Sequence, residues 1–278
     1  MLIVAALSAV FALGGGSSGD ASAAEAVVTA ATQTINAHSA DVSMSMDAST
    51  TGVQQSLSGS GAFDFAQKTG TMTMTIPVDG TQYTEQEILD DSTIYVNVSG
   101  LNPDLAPGKP WVSVPVDESD SSDSGISTLD ATALLQQLKS IGGSVTPLGQ
   151  TFYDGTAVTE YQTTLPASAL ESGMGALSSS VRNSLGLNLP DMTIDVYVTP
   201  DDLLKALVVP TYSFDIADST ISVDMTLVFS NYGTVVNATP PPADQVQPLP
   251  QCGCASGNSG STGNTGNSGG SGNTGSTV

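Results

Sequence analysis

The sequence predicts an α+β protein, an antiparallel sheet of about eleven strands with three helices interposed. Hydrophobicity of period two recurs along most of the chain. Val42-Ser43-Met44-Ser45-Met46 and Thr71-Met72-Thr73-Met74-Thr75-Ile76 are the clearest cases, each with an apolar face and a small hydroxyl face. Turn chemistry separates the segments at hairpin lengths, which makes the pairing antiparallel. The strands and helices come in runs and do not alternate as βαβ units would. A sheet of this size has to curl, close or split, because a flat one would leave its apolar face in water.

Taken in order, residues 1–13 are an apolar run, MLIVAALSAVFAL, followed by Gly14-Gly15-Gly16-Ser17-Ser18-Gly19-Asp20. The run is too short to cross a bilayer as a helix. It suits the apolar part of an export signal, although the basic residues that should precede it are missing, and a buried strand or helix is the alternative. Residues 21–40 are Ala-rich, with Val27, Val28, Ala31 and Ile35 forming a narrow helical stripe. Strands are expected over 41–49, 54–65, 70–78, 81–89, 93–98 and 111–116. Lys68-Thr69-Gly70, Asp79-Gly80 and Pro107-Gly108-Lys109-Pro110 mark turns between them.

The acidic stretch Asp117 to Asp123 reads as a solvated loop, since it lacks the ordered ligand spacing and closing Glu of a calcium loop. A second helix follows, capped at Thr128 or Asp130 and stopped at Gly142-Gly143, with Leu134, Leu138 and Ile141 on one face. Strands over 145–152 and 156–164 form a hairpin around Asp154-Gly155. A third helix follows Pro166, with Leu170, Met174, Leu177, Val181 and Leu185 at helical intervals. The last strands cover 192–198, 203–214 and 220–232. Beyond Asn237, prolines stiffen a connector, and residues 257–278 are almost wholly Gly, Ser, Asn and Thr, a composition that buries no apolar surface.

Charge narrows the function. Asp plus Glu number 27 against 5 Lys plus Arg, a formal charge of −22 over 278 residues. Phosphate backbones are held through Lys and Arg, so nucleic acid is excluded as a partner, and adsorption to anionic lipid surfaces is disfavoured. The two cysteines, Cys252 and Cys254, sit together beyond the domain and cannot staple distant segments. A local or intermolecular disulfide, or two free thiols, is expected there, and no metal is expected because no further ligand lies near.

Catalysis has little to build on. His38 is the only histidine and falls at the end of the first helix, where an exposed or capping role is ordinary. Asp123-Ser124-Gly125 spells an aspartic-protease triplet but lacks the apolar strand that would tune a carboxylate pair. Asp90-Asp91 and Asp201-Asp202 fall at turns, where Asp bonds its own backbone. Trp111 is expected to be partly buried at a core or rim, with a ligand contact at a cavity mouth as the alternative. No catalytic residue and no cofactor are expected, and the protein is read as not an enzyme.

Several segments together resemble the mycobacterial LprG/LppX type of exported actinobacterial envelope lipoproteins, of the LolA-like superfamily. The first is Ser58-Gly59-Ser60-Gly61-Ala62-Phe63-Asp64-Phe65, followed by Thr71-Met72-Thr73-Met74. Next come Ile94-Tyr95-Val96 and Gly108-Lys109-Pro110-Trp111-Val112, and last the run from Phe229 through Tyr232-Gly233 to Pro240-Pro241-Pro242-Ala243-Asp244. The resemblance covers about residues 21–246. It implies a curved antiparallel half-barrel with helices on its concave face and a hydrophobic cavity for acylated lipids or lipoglycans. It implies a LolA-like lipid-binding domain over 21–246, between the export-signal-like segment 1–20 and the tail 247–278 that composition marks as disordered. It also implies an exported, envelope or extracellular protein, with a membrane transporter as a candidate partner; a monomer is expected. One departure stands out: Gly14-Gly15-Gly16 occupies the place of the lipobox cysteine, which leaves a lipid anchor without its attachment point.

On this basis the cavity lining is expected from Met44, Met46, Phe63, Phe65, Met72, Met74, Met225, Leu227 and Phe229 on the sheet. Leu134, Leu138, Met174, Leu177 and Val181 are its expected helical part, and no charged group is expected among them. The alternative is a structural or sensory envelope protein whose half-barrel is filled by its own side chains.

Overall fold

The computed structural model describes residues 21–78, 80–100, 108–115, 145–167, 189–216 and 219–248. The acidic stretch 117–123, Asp123-Ser124-Gly125, Cys252, Cys254 and the apolar positions of the second and third helices lie outside these residues. The described residues form an α-helix, α1 (Ala21–Asn36), a short 3-10 helix (Ala243–Gln245) and twelve strands. The strands are β1 (Ser39–Thr50), β2 (Val53–Asp64), β3 (Thr69–Val78), β4 (Thr81–Asp90), β5 (Thr93–Asn97) and β6 (Trp111–Pro115). They continue as β7 (Val145–Tyr153), β8 (Thr156–Leu165), β9 (Met192–Val198), β10 (Leu204–Ile216), β11 (Ser219–Ser230) and β12 (Val246–Pro248).

All twelve form one curved, unclosed sheet in the order β12-β6-β5-β4-β3-β2-β1-β11-β10-β9-β8-β7. Two antiparallel meanders, β1 to β6 and β7 to β11, join where β1 pairs with β11, Met44 opposite Leu227 and Met46 opposite Met225. β6 stands near one edge of the sheet and β7 at the other. The expected strands coincide with β1 to β11. Sequence reading missed β12, because three residues ending in proline show no alternation; it adds the parallel pair, Val246 beside Trp111. The Lys109 ammonium donates to the Val246 carbonyl at 2.7 Å and helps hold that strand. Trp111 is half-buried, as expected of a rim residue.

Curvature follows from local breaks in the ladders. Register shifts fall between Val209 and Tyr212 and between Leu204 and Ala206 in β10, and between Pro147 and Gly149 in β7, and each such break bends its strand. Asp154 and Gly155 both have positive φ, 48° and 75°, as the tight two-residue hairpin turn requires. Asp91 and Asp202, at φ 51° and 55°, are likewise turn residues.

α1 buries Ala23, Val27, Ala30, Ala31 and Thr34, a stripe of mostly small side chains that lets the helix lie close on β7, β9 and β10. The Thr34 hydroxyl accepts from the Leu204 amide at 3.0 Å, and the Tyr232 hydroxyl donates to the Leu204 carbonyl. One β10 residue thus anchors both the helix and the chain leaving β11. Burial pushes the Tyr232 phenol above its ordinary range, the bond with Thr34 acting in the opposite sense. His38 follows the end of the helix, exposed and in the left-handed region at φ 68°, its amide bonded to the Ile35 carbonyl. That is the capping position read from the sequence. Helices on the concave face were expected; of them, α1 is the one described, and it covers the half of the sheet that ends at β7.

Thr163 of β8 is buried opposite Val145 and Ile194, and its hydroxyl finds no hydrogen-bond partner among the described residues. Thr163→Val, which keeps the shape and removes the stranded hydroxyl, is expected to stabilise the protein by about 1 kcal/mol. An unchanged or lower urea midpoint in equilibrium unfolding would contradict this.

Candidate functional site

The period of two puts the even residues of β1 on the buried face, from Ala40 through Val42, Met44 and Met46 to Ala48, while Ser43, Ser45, Asp47 and Ser49 face outward. Strand register then assembles rows across the sheet. One runs Leu207, Leu227, Met44, Gly59, Met74, Glu85, and the next runs Phe229, Val42, Gly61, Met72, Glu87, Val96, Val112. A third runs Ala40, Phe63, Gly70, Leu89, Ile94, Val114. Methionine therefore lies on both sides of Gly59, and the glycine leaves room that methionine side chains fill. A Cβ at Gly59 would stand 3.0 Å from Met74 Cγ and 3.2 Å from Met72 Sδ.

Every sheet residue expected in the lining, Met44, Met46, Phe63, Phe65, Met72, Met74, Met225, Leu227 and Phe229, is buried in one continuous cluster. α1 and the inner faces of β9 and β10 belong to the same cluster, through Val27, Met192, Ile194, Leu207 and Val209. A smaller cluster of Ile94, Val96, Val98, Val112 and Val114 sits on β5, β6 and their flank. Of the expected lining, Leu134, Leu138, Met174, Leu177 and Val181 lie outside the described residues.

The expectation of an uncharged face fails on β4. Glu85 and Glu87 are 4% and 7% exposed, facing inward in line with Tyr83 and Leu89. They stand beside Met74 and Met72 in the rows above and are hydrogen-bonded to each other. Desolvation pushes the Glu85 carboxyl up from its ordinary range, the bond to Glu87 pulling the other way. The signal was present in the sequence. Tyr83, Glu85, Glu87 and Leu89 share one parity, and only the convention that carboxylates face water hid it.

Phe63, Gly70, Thr71, Met72, Glu87, Leu89 and Ile94 line a partly open void of about 10 Å³, room for about one water molecule. The Phe63 ring lies on Gly70, where an added Cβ would come within 2.3 Å of Cδ1. The outward face is polar. Thr211 bonds Asp224, Ser213 bonds Ser222, and Gln162 bonds Asp195, so hydroxyl, amide and carboxylate groups satisfy one another across strands. Tyr197 stacks on Tyr153 and donates to Glu160 at 3.0 Å. Desolvation, followed by that carboxylate, pushes its phenol up to about 12.

Among the described residues, no group of three or more His, Cys, Asp or Glu side chains is placed to hold a metal ion, and no helix is long and apolar enough to cross a membrane. The arrangement defines a class: a curved open sheet whose inner face carries two apolar clusters with Glu85 and Glu87 on β4, and whose outer face is rich in hydroxyl groups.

Solved structures similar to this chain include LprF from Mycobacterium bovis, with TM-score 0.43 and 16% identity over 82% of this chain and 99% of that one. The Mycobacterium tuberculosis lipoprotein LppX has TM-score 0.43 and 16% identity over 77% of this chain and 99% of its own. An uncharacterized conserved protein from Thermus thermophilus has TM-score 0.37 and 8% identity over 82% and 99%. No protein-family model matches the chain, and no curated protein matches its sequence.

Proposed function

We propose that the protein is a noncatalytic carrier that binds, and passes on, acylated lipids or lipoglycans in the bacterial cell envelope. Acyl chains lie against the apolar face of the sheet. The observation that carries this reading is the gathering of Met44, Met46, Met72, Met74 and Met225 across adjacent strands around Gly59 and Gly61. Methionine is unbranched and polarizable, so a face built from it re-packs around chains of differing shape, where Val or Ile would impose one fit. Phe63, Phe65, Leu227 and Phe229 complete the sheet side of the proposed lining. Leu134, Leu138, Met174, Leu177 and Val181 are its proposed helical side. Export, an acylated ligand as the main partner and a membrane transporter as a further one belong to the same reading.

The second reading, a packed core in a structural or sensory envelope protein, is favoured by the burial of the same sheet residues in one cluster with α1, β9 and β10. Uptake measurements separate the two. Native mass spectrometry of protein purified without detergent is expected to show bound acyl species, and a fluorescent acyl probe is expected to bind with saturation. Met74→Asp, which sets a charge in the middle of the face, is expected to lower probe affinity at least tenfold, while Met74→Leu and the outward-facing Ser45→Asp retain it. Circular dichroism of each variant checks folding. Absence of acyl species together with no probe uptake by the folded wild-type protein would leave the packed-core reading.

A further inference from the structure

The chain leaves β11 in the middle of the sheet and returns as β12 outside β6, at its edge. Seven strand spacings lie between the two, about 34 Å at about 4.8 Å each, and the 15 residues from Asn231 to Gln245 reach at most about 50 Å. The connection therefore runs extended across the sheet. Asn231 and Gly233, at φ 47° and 79°, turn it out of the line of β11. Asn231 Nδ2 donates to Asp41 Oδ2 at 2.7 Å, and Ser39 Oγ donates to the Thr234 carbonyl at 2.6 Å. Ser39 and Asp41 share the outward parity of β1, so the connection starts on the outer face. Ser39 is 4% exposed there, whereas Ser43, Ser45 and Asp47 of the same parity are exposed.

From that point a band of cover continues across the outer face. Asp41, Ala62, Thr71, Ile88, Tyr95 and Ser113 stand in one row, and every one of them is half-buried. In the next outward row, Ser43, Ser60, Thr73 and Gln86 are exposed. The covered row starts beside Ser230, the last residue of β11, and ends beside Pro248 of β12. The connection itself alternates. Tyr232, Thr234, Val236 and Ala238 are half-buried, while Gly233, Val235, Asn237 and Thr239 are exposed, the pattern of an extended chain lying on a surface.

We propose that residues 231–248 are a strap laid along this row, tying the β5–β6 edge to the junction of β1 with β11, and that undocking of its β12 end opens that edge of the inner face to an acyl chain. Passing about two residues per strand from Thr234 over β1, the strap brings Pro240, Pro241 and Pro242 over β4 and β5. Ile88 and Tyr95 give them an apolar seat, and proline keeps the crossing stiff without internal hydrogen bonds. The two ends are held unequally. At β1 the strap has the Asn231 and Ser39 bonds, the Gly233 amide on the Ser39 carbonyl, and Tyr232 on Leu204. At β6 it has a ladder of three residues and the Lys109 ammonium on the Val246 carbonyl. The far end is thus the one that lets go first. The strap is a property of the fold, and its use as a gate rests on the carrier reading above.

Two variants of the full chain test this, one that loosens the strap and one that locks it. Val236→Asp puts a charge on its packed side, and amide hydrogen exchange in β6 and β12 is expected to rise at least tenfold while β1, β9 and β10 stay as in wild type. Val235→Asp, at a position 82% exposed, is expected to change nothing. Exchange in β6 and β12 that is equal in Val236→Asp and wild type, or raised as much by Val235→Asp, overturns the strap. The lock joins Ser113→Cys to Pro248→Cys, which are Cα partners, with Cys252 and Cys254 replaced by serine. The closed disulfide is expected to slow both association and dissociation of a fluorescent acyl probe at least tenfold, and reduction to restore the wild-type rates. A pair that does not oxidise contradicts the docking of β12. Probe rates indifferent to a closed disulfide, in a protein that binds the probe, overturn the gate. Failure of the wild-type protein to bind the probe at all, with exchange as stated, overturns the carrier reading and supports the strap alone.

Discussion

Gly61→Ala is expected to destabilise the protein by about 3 kcal/mol, near the upper end for overpacking, because the clash is with backbone rather than with a side chain that can turn away. A Cβ at Gly61 would stand 1.8 Å from the Thr71 carbonyl oxygen and 2.9 Å from Met72 Cα. Relief requires β2 and β3 to separate in the row that carries Val42, Met72 and Glu87. The melting temperature should fall by about 6–12 °C for a domain of this size. Gly52→Ala is the useful comparison. Nothing lies within 4 Å of its Cβ position, and only its φ of 85° opposes the change, so about 1 kcal/mol is expected there. Equal melting temperatures for Gly61→Ala and wild type would mean that the strands do not approach as closely as described.

The second large effect is expected from Phe63→Ala, about 3–5 kcal/mol, the usual cost of removing a buried aromatic ring. Phe63 is 4% exposed, borders the void shared with Met72 and Glu87, and covers Gly70 on the neighbouring strand. Its removal enlarges that void and bares the glycine. Gly70→Ala alone should also destabilise, since the new methyl meets the ring. In the double variant the methyl occupies space the ring has left, so the loss should be smaller than the sum of the two single losses. Urea unfolding of the four proteins measures the coupling, and strict additivity would refute the ring-on-glycine contact.

Much of this architecture was legible in the chain. Alternation located β1 to β11 within a few residues, and parity placed Met44, Met46, Met72, Met74, Met225, Leu227 and Phe229 on inward faces. Both follow from the two-residue repeat of a strand, which any linear pattern displays. Asp154-Gly155 and the aspartates at Asp91 and Asp202 were equally readable, because turn geometry is a local matter. β12 was not readable, since a three-residue parallel strand exists only through its partner Trp111-Val112-Ser113.

What the sequence by itself determined is that strands would have one soft apolar face and one hydroxyl face, and that the resulting sheet would be too large to stay flat. Tertiary structure alone decided which residues stand next to each other on that face. Register is set between strands far apart in the chain, and it put Gly59 between Met44 and Met74, Gly61 between Val42 and Met72, and Glu85 and Glu87 beside Met74 and Met72 in the same rows. A carboxyl group carries no mark of its eventual burial. Its surroundings come from neighbouring strands, and they turn an ordinary Thr-Glu-Gln-Glu segment into a desolvated acid pair on an otherwise apolar wall.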